Sequence, residues 1–338
     1  MKKIITLFAL TAIISSCGNS KKIEIANIQS IYIEHSPDQN MNYGSSFNGK
    51  VVALMNDGEE ITITNHRKLE ITSWDLDFTS ETTMQVIGHP TSFENHAASA
   101  VFTMSDKDET FTAVDSVLLN YQGTIRINET SIDGLDGEDQ KNAGNRWIGR
   151  DGKDGNNGPN GGNGSHGGNY TIHAWKDGTE TRVRVANNTT GEVWKYKSVN
   201  SDNLVIGFPG GNGGDGGNAG DGGDGKDGRV TAESTKKVGN GGNGGNGGNG
   251  GNGGNGGTIT MIVHPNAPNV SSAISISNPG GRSGNFGESG KRGEGGSGDT
   301  GQADGLDGLP GVRGVNGSFG SNGPLVVIRV EDFDPSSL

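Results

Sequence analysis

Cysteine is nearly absent from this chain, Cys17 being the only one among 338 residues. A single cysteine excludes an intrachain disulfide framework. Aromatic residues make up 6% and hydrophobic residues 29% of the sequence. That share is too small for one large conventional core, so any apolar core must be local. Basic residues are outnumbered: 27 Lys and Arg stand against 39 Asp and Glu, a formal charge of −12. Phosphate neutralisation needs clustered Lys and Arg, so nucleic acid is excluded as a partner. Nucleophile elbow, zinc motif and phosphate loop are all missing. The expectation is a protein that is not an enzyme and holds no cofactor or metal. His35, His66, His89 and His96 lack metal spacing and are expected to be solvated loop histidines.

The one long apolar run, IITLFALTAII, lies near the N-terminus and is too short to span a bilayer. It follows the cationic MKK and precedes ISSC, which ends in Cys17. ISSC resembles the lipobox of bacterial lipoproteins. The resemblance implies a signal peptide over 1–16 and lipidation of Cys17, with 17–22 as a polar tether. Loss of Lys2 and Lys3 would take the charge from −12 to −14. Gly18, rather than aspartate, follows the cysteine, which by analogy with enteric bacteria implies an outer-membrane address. The membrane is then a partner through the lipid anchor.

From Ile23 to about Gln122 the chain reads as short strands with regularly spaced turns. KVVALMNDGEEITIT is a hairpin pattern pivoting on Asp57-Gly58. The expected fold of 23–122 is a β-sandwich. VVALMNDGEEITIT with Trp74 downstream resembles bacterial immunoglobulin-like (Ig-like) domains, which implies a spacer or binding platform.

What the sequence has in abundance is glycine, 62 residues of it. Beyond Gln122 it recurs at every third position in five blocks: 149–167, 210–228, 239–257, 281–296 and 305–323. Four of these share one length, which random linkers have no reason to do. Strand-like IRI, LVI and AISIS lead into glycine, and NYTIHAW, TITMIVHP and LVVIRV lead out. The region 123–338 is thus a threefold internal repeat of strand, glycine block, loop, glycine block, strand. In its first unit GLDGEDQKNAG soon loses the triplet. TRVRVAN and EVWKYKS add a hairpin with Trp194 and Tyr196 on one face and Lys195 and Lys197 on the other.

A glycine period of three fits the polyproline II helix, whose backbone groups must find water or a neighbouring chain. The blocks resemble polyglycine II domains of springtail antifreeze proteins and phage tail-fibre adhesins. Collagen would want more than 10 prolines. Calcium β-rolls would want an apolar residue per repeat, and a flexible linker remains the bland alternative. The expected fold class is all-β plus polyglycine II, with short strands flanking a bundle of antiparallel helices.

Two glycine columns mark a central helix and one column an outer helix. Blocks 210–228 and 239–257 are therefore expected at the centre, with Gly213, Gly216, Gly222, Gly244, Gly247 and Gly250 in the bundle core. Their Asn and Asp columns should face outward, and Ala219 should loosen the packing slightly. Leu306, Leu309, Val312 and Val315 are expected to pack on another element. The three interior loops should gather at a far tip, placing Asn145, Arg146 and Trp147 near Lys236 and Lys237. An aromatic among cations suits recognition of a glycan or an envelope protein. The expected function is a lipid-anchored envelope protein presenting a rigid module for adhesion or assembly. The alternative is binding to ice, which the many charges in the outward columns disfavour.

Overall fold

The structure, a computed structural model, describes residues 23–94, 97–129, 131–144, 150–199 and 203–338. It is all-β. Eight strands form the first unit: β1 (Ile28–His35), β2 (Ser46–Met55), β3 (Glu60–Thr62), β4 (Leu69–Thr72), β5 (Leu76–Phe78), β6 (Thr83–Val86), β7 (Ala97–Asp106) and β8 (Glu109–Leu118). One antiparallel sheet has the order β1-β2-β6-β5 with β3 on β2, and a second runs β4-β7-β8. Period-two alternation drives the second: in β7, Ala98, Ala100, Phe102 and Met104 are buried. These side chains join Ile31, Val51 and Met84 in a core shared by both sheets. Each large side chain so buried stabilises the unit by about 1.5–3 kcal/mol. The Asp57-Gly58 turn joins β2 to β3, and Gly58 has a φ of 86°, which glycine adopts without steric cost.

Ten further strands belong to the glycine-rich unit. They are β9 (Ile125–Asn128), β10 (Asn169–Asp177), β11 (Glu180–Asn187), β12 (Val193–Val199), β13 (Leu204–Gly207), β14 (Arg229–Val230), β15 (Thr235–Lys236), β16 (Thr258–Val263), β17 (Ile274–Ser277) and β18 (Val327–Val330). The three incoming strands lie side by side as β9-β13-β17, all parallel. The three outgoing strands form the parallel set β10-β16-β18, which β11 and β12 extend antiparallel. Ile125, Ile127, Leu204 and Ile206 of the first sheet and Ile172, Ile259 and Met261 of the second share one core. That core forms the base of the unit.

Six glycine arms rise from this base: arm 1 (131–144), arm 2 (150–167), arm 3 (208–228), arm 4 (239–257), arm 5 (278–298) and arm 6 (304–323). Their described residues carry no helix or strand, yet their backbones are bonded to one another at every third residue. Arms 1, 3 and 5 run parallel in one layer: Gly134 N–H donates to Asn212 O at 2.7 Å and Gly213 N–H to Arg282 O at 2.8 Å. Arms 2, 4 and 6 form the second layer, with Gly152 N–H to Asn240 O and Gly241 N–H to Leu306 O. Between layers the arms are antiparallel, as in Gly242 to Gly223, Gly293 to Gly242 and Gly308 to Gly293. Glycine is required because a Cβ on either face would meet backbone. At Gly247 it would fall far inside contact distance of the Gly287 carbonyl, and at Gly248 of the Pro159 carbonyl.

The third residue of each triplet closes the network through its side chain. Asn240, Asn243 and Asn246 accept the N–H groups of Leu306, Leu309 and Val312 at 2.8–2.9 Å. Asp151, Asp154 and Asn157 do the same for Asn240, Asn243 and Asn246. The expected outward columns are solvent-exposed, but they also stitch arm to arm.

One sequence expectation about this unit needs correction. Leu306, Leu309, Val312 and Val315 are 74%, 70%, 68% and 64% exposed and are covered by no other element among the described residues. Arm 6 closes its layer, so no neighbour follows it. Arm 1 keeps its bonding period after losing glycine, because Gln140 and Ala143 N–H groups still reach Asn218 and Asp221 carbonyls. Among the described residues its backbone bonds to arm 2 lie near the base, at Leu135 and Ile132, where the triplet retains glycine. Lys197 is buried, with its ammonium 4.3 Å from the centre of the Tyr121 ring. Ala219 keeps its bond to Glu288 O at 2.9 Å, within the range of the other bonds between arms.

Candidate functional sites at the tip, the junction and the layer faces

Far from the base, β14 and β15 form a two-stranded hairpin that carries the loop between arms 3 and 4. Lys236 and Lys237 are exposed there. The 299–304 loop is fastened to this hairpin. Val230 N–H donates to Asp299 Oδ2 at 2.8 Å, and Gln302 Nε2 donates to Lys236 O at 2.9 Å. Those backbone bonds, from Val230 and then from Thr300, hold the Asp299 carboxyl below the usual carboxylate range. Two of the three loops are therefore one connected surface. Asn145, Arg146 and Trp147 lie outside the described residues, as does Cys17. Arg150, where arm 2 begins, lies at this end, because its carbonyl accepts Lys226 N–H at 3.2 Å.

A second cluster joins the two units. His89, from the loop after β6, was expected to be solvated. Instead it is clasped: Nε2 lies 2.9 Å from Glu129 Oε1, and Nδ1 lies 2.7 Å from the Tyr196 hydroxyl. Its ring stacks on Trp194 at 4.4 Å between centroids. The Tyr43 hydroxyl donates to Glu129 at 3.3 Å. Burial works against the Glu129 charge, but the bonds from His89 and Tyr43 and the His89 charge hold its pKa below the usual value. Burial and the nearby carboxylate push the Tyr43 hydroxyl up. No sequence pattern marked this cluster, since its members come from distant parts of the chain, His89 and Tyr196 lying 107 positions apart.

The third feature is a contrast between the outer faces of the two layers. On the first layer the exposed columns of arms 1, 3 and 5 carry nine carboxylates, from Asp133 to Glu294, against Arg282 and Lys291. On the second layer, arms 2, 4 and 6 present three rows in which Asp151 and Asp154 are the only formal charges. The middle row is asparagine throughout, from Asn240 to Asn255. The third row is Leu306, Leu309, Val312, Val315, Ser318 and Ser321.

The six glycines singled out as the bundle core are half-buried and face the neighbouring layer. A Cβ on Gly213, Gly216 or Gly222 would strike arm 4, and one on Gly244, Gly247 or Gly250 would strike arm 5. The fully buried column is the adjacent one, which includes Gly214, Gly217, Gly245 and Gly248. Among the described residues no group of His, Cys, Asp or Glu has metal-binding geometry. None of their helices is long and apolar enough to cross a membrane. No protein family, curated protein or solved structure matches this chain.

Proposed function

We propose that this chain is a non-enzymatic, lipid-anchored protein of a bacterial envelope, presenting a rigid glycine module for adhesion or assembly. In this reading the arms are polyglycine II helices and the first unit is an Ig-like spacer. The observation that carries it is the unbroken three-residue hydrogen-bond period, which runs between arms from base to tip. Such a network leaves few soft backbone degrees of freedom, so the tip loops are held away from the first unit. Cys17 supplies the anchor, and glycans or envelope proteins are the partners for Trp147, Arg146, Lys236 and Lys237. Palmitate labelling that is lost in Cys17→Ser tests the anchor. Binding of the anchor-free chain to glycan and envelope-protein arrays, with and without Trp147→Ala, tests the tip. Equal binding by both proteins removes the tip from the account.

Ice or hydration-layer binding is the second reading. The near-absence of charge on the second layer's face favours it, since the charges that weighed against it fall mainly on the other face. The engaged carboxamide oxygens weigh the other way. Thermal hysteresis measured on the purified chain decides it.

A further inference from the structure

The neutral face is sorted along its length as well as across it. Its aliphatic residues, Leu306 to Val315, occupy the tip-proximal part of the arm 6 row, and the base-proximal part is serine. The three rows are level with one another. Leu309, Asn243 and Asp154 are joined by hydrogen bonds at one level, and Val312, Asn246 and Asn157 at the next.

We propose that this half-face binds a second copy of the chain, antiparallel, about a two-fold axis passing between those two levels. A two-fold interface must be complementary to itself, and this one is, row by row. Leu309 meets the partner's Val312, and Leu306 meets the partner's Val315. Asn243 meets the partner's Asn246. Asp154 falls opposite the partner's Asn157 and Asp151 opposite the partner's Asn160, so no carboxylate faces another. The first layer's face, with its excess of carboxylates, repels its own copy.

Other occupants fit less well. The face has no aromatic platform for a sugar ring, since Phe319 sits in a different column of arm 6. Extension by a seventh arm is blocked at the lateral edge. There Asp307, Asn316 and Asn322 already cap arm 5 N–H groups, and Pro310 has no N–H to offer. Four triplets at about 3.1 Å per residue are about 37 Å long, and three rows at about 4.8 Å spacing give a strip about 15 Å wide. About 560 Å² per copy is the small end of specific interfaces, where weak and transient complexes lie. Only the tip halves overlap, so the two bases point in opposite directions. On the envelope reading, this is the geometry of copies reaching toward each other from facing surfaces.

Disulfide trapping tests it. In a Cys17→Ser background, Leu309→Cys and Val312→Cys chains are prepared separately and mixed under mild oxidation. The mixture is expected to give a cross-linked dimer at least about tenfold faster than either alone, because same-position cysteines lie a triplet apart across the axis. Equal rates for the single variants, or no cross-link at about 100 µM, overturns the proposal. A Leu309→Lys, Val312→Lys double variant measured by sedimentation is expected to raise the dimer Kd at least about a hundredfold. Its circular-dichroism melt should match the parent, since both residues are exposed; an unchanged Kd overturns the proposal. Neither readout needs the anchor, so failure here leaves the envelope reading standing.

Discussion

Asn243 Oδ1 accepts the backbone N–H of Leu309 across 2.8 Å, from a position 66 residues away in sequence. The same contact repeats at Asn240, Asn246, Asn249, Asn252 and Asn255. Asparagine at every third place therefore has a structural task. It provides a side-chain acceptor for each N–H of the exposed row on arm 6, alongside the backbone bonds that join the arms.

Removing that acceptor has a modest cost, because the orphaned N–H lies at an exposed position and finds water. Asn243→Ala and Asn246→Ala are each expected to lower stability by about 0.5–1.5 kcal/mol. Asn246→Asp keeps the oxygen and should cost less. Urea denaturation followed by far-UV circular dichroism ranks the three.

Glycines divide sharply by position. At Gly247 an added Cβ collides with the arm 5 backbone, and a backbone atom cannot swing away as a side chain can. Gly247→Val should cost at least about 3 kcal/mol or prevent folding. Gly144 has nothing within 4 Å of its Cβ position, so Gly144→Ala should be near neutral. Thermal melts of the pair separate a packed arm from a flexible linker, in which both changes would be silent.

Acid should loosen the junction between the units. The folded-state pKa of Glu129 is depressed, so its contribution to stability is complete above the unfolded carboxylate pKa, about 4.3. It is lost as pH falls through the lower folded value. Glu129→Gln removes this dependence, and the parent-minus-variant stability difference should shrink steadily below about pH 4.5. Chemical denaturation between pH 3 and 7, in steps of about half a unit, measures it.

The tip loops should come apart if Asp299 is removed. Its carboxylate accepts both Val230 N–H and Thr300 N–H, the latter at 2.7 Å. Asp299→Ala is expected to speed tryptic cleavage at Arg229, Lys236 and Lys237 several-fold, leaving Arg282 in arm 5 uncut. Mass spectrometry of a digestion time course reads this directly.

Much of the second unit was legible as period. Glycine columns in 210–228 and 239–257 identify the two arms with most neighbours, because only a residue without a Cβ admits backbone on two sides. The strand segments at the base were legible for a similar reason, as short apolar runs at each block's end. The exposed aliphatic row was misread because burial depends on whether another arm follows, and arm 6 has none after it. His89 was misread because a histidine's surroundings come from distant chain, here Glu129 and Tyr196.

By itself, the sequence determined that glycine would be packed against backbone, and that the chain had to find its hydrogen bonds between blocks. It also determined that the middle row would be asparagine, since that follows from the triplet GGN. Only the tertiary structure decided which blocks became neighbours. That choice collected the carboxylates on one layer and left the other neutral, with Leu309 and Val312 exposed near its tip. The physical reason is that a glycine arm accepts neighbours in either direction, parallel or antiparallel, so local sequence leaves the pairing open. The strands at the base close that choice by fixing the order β9-β13-β17 beneath one layer and β10-β16-β18 beneath the other.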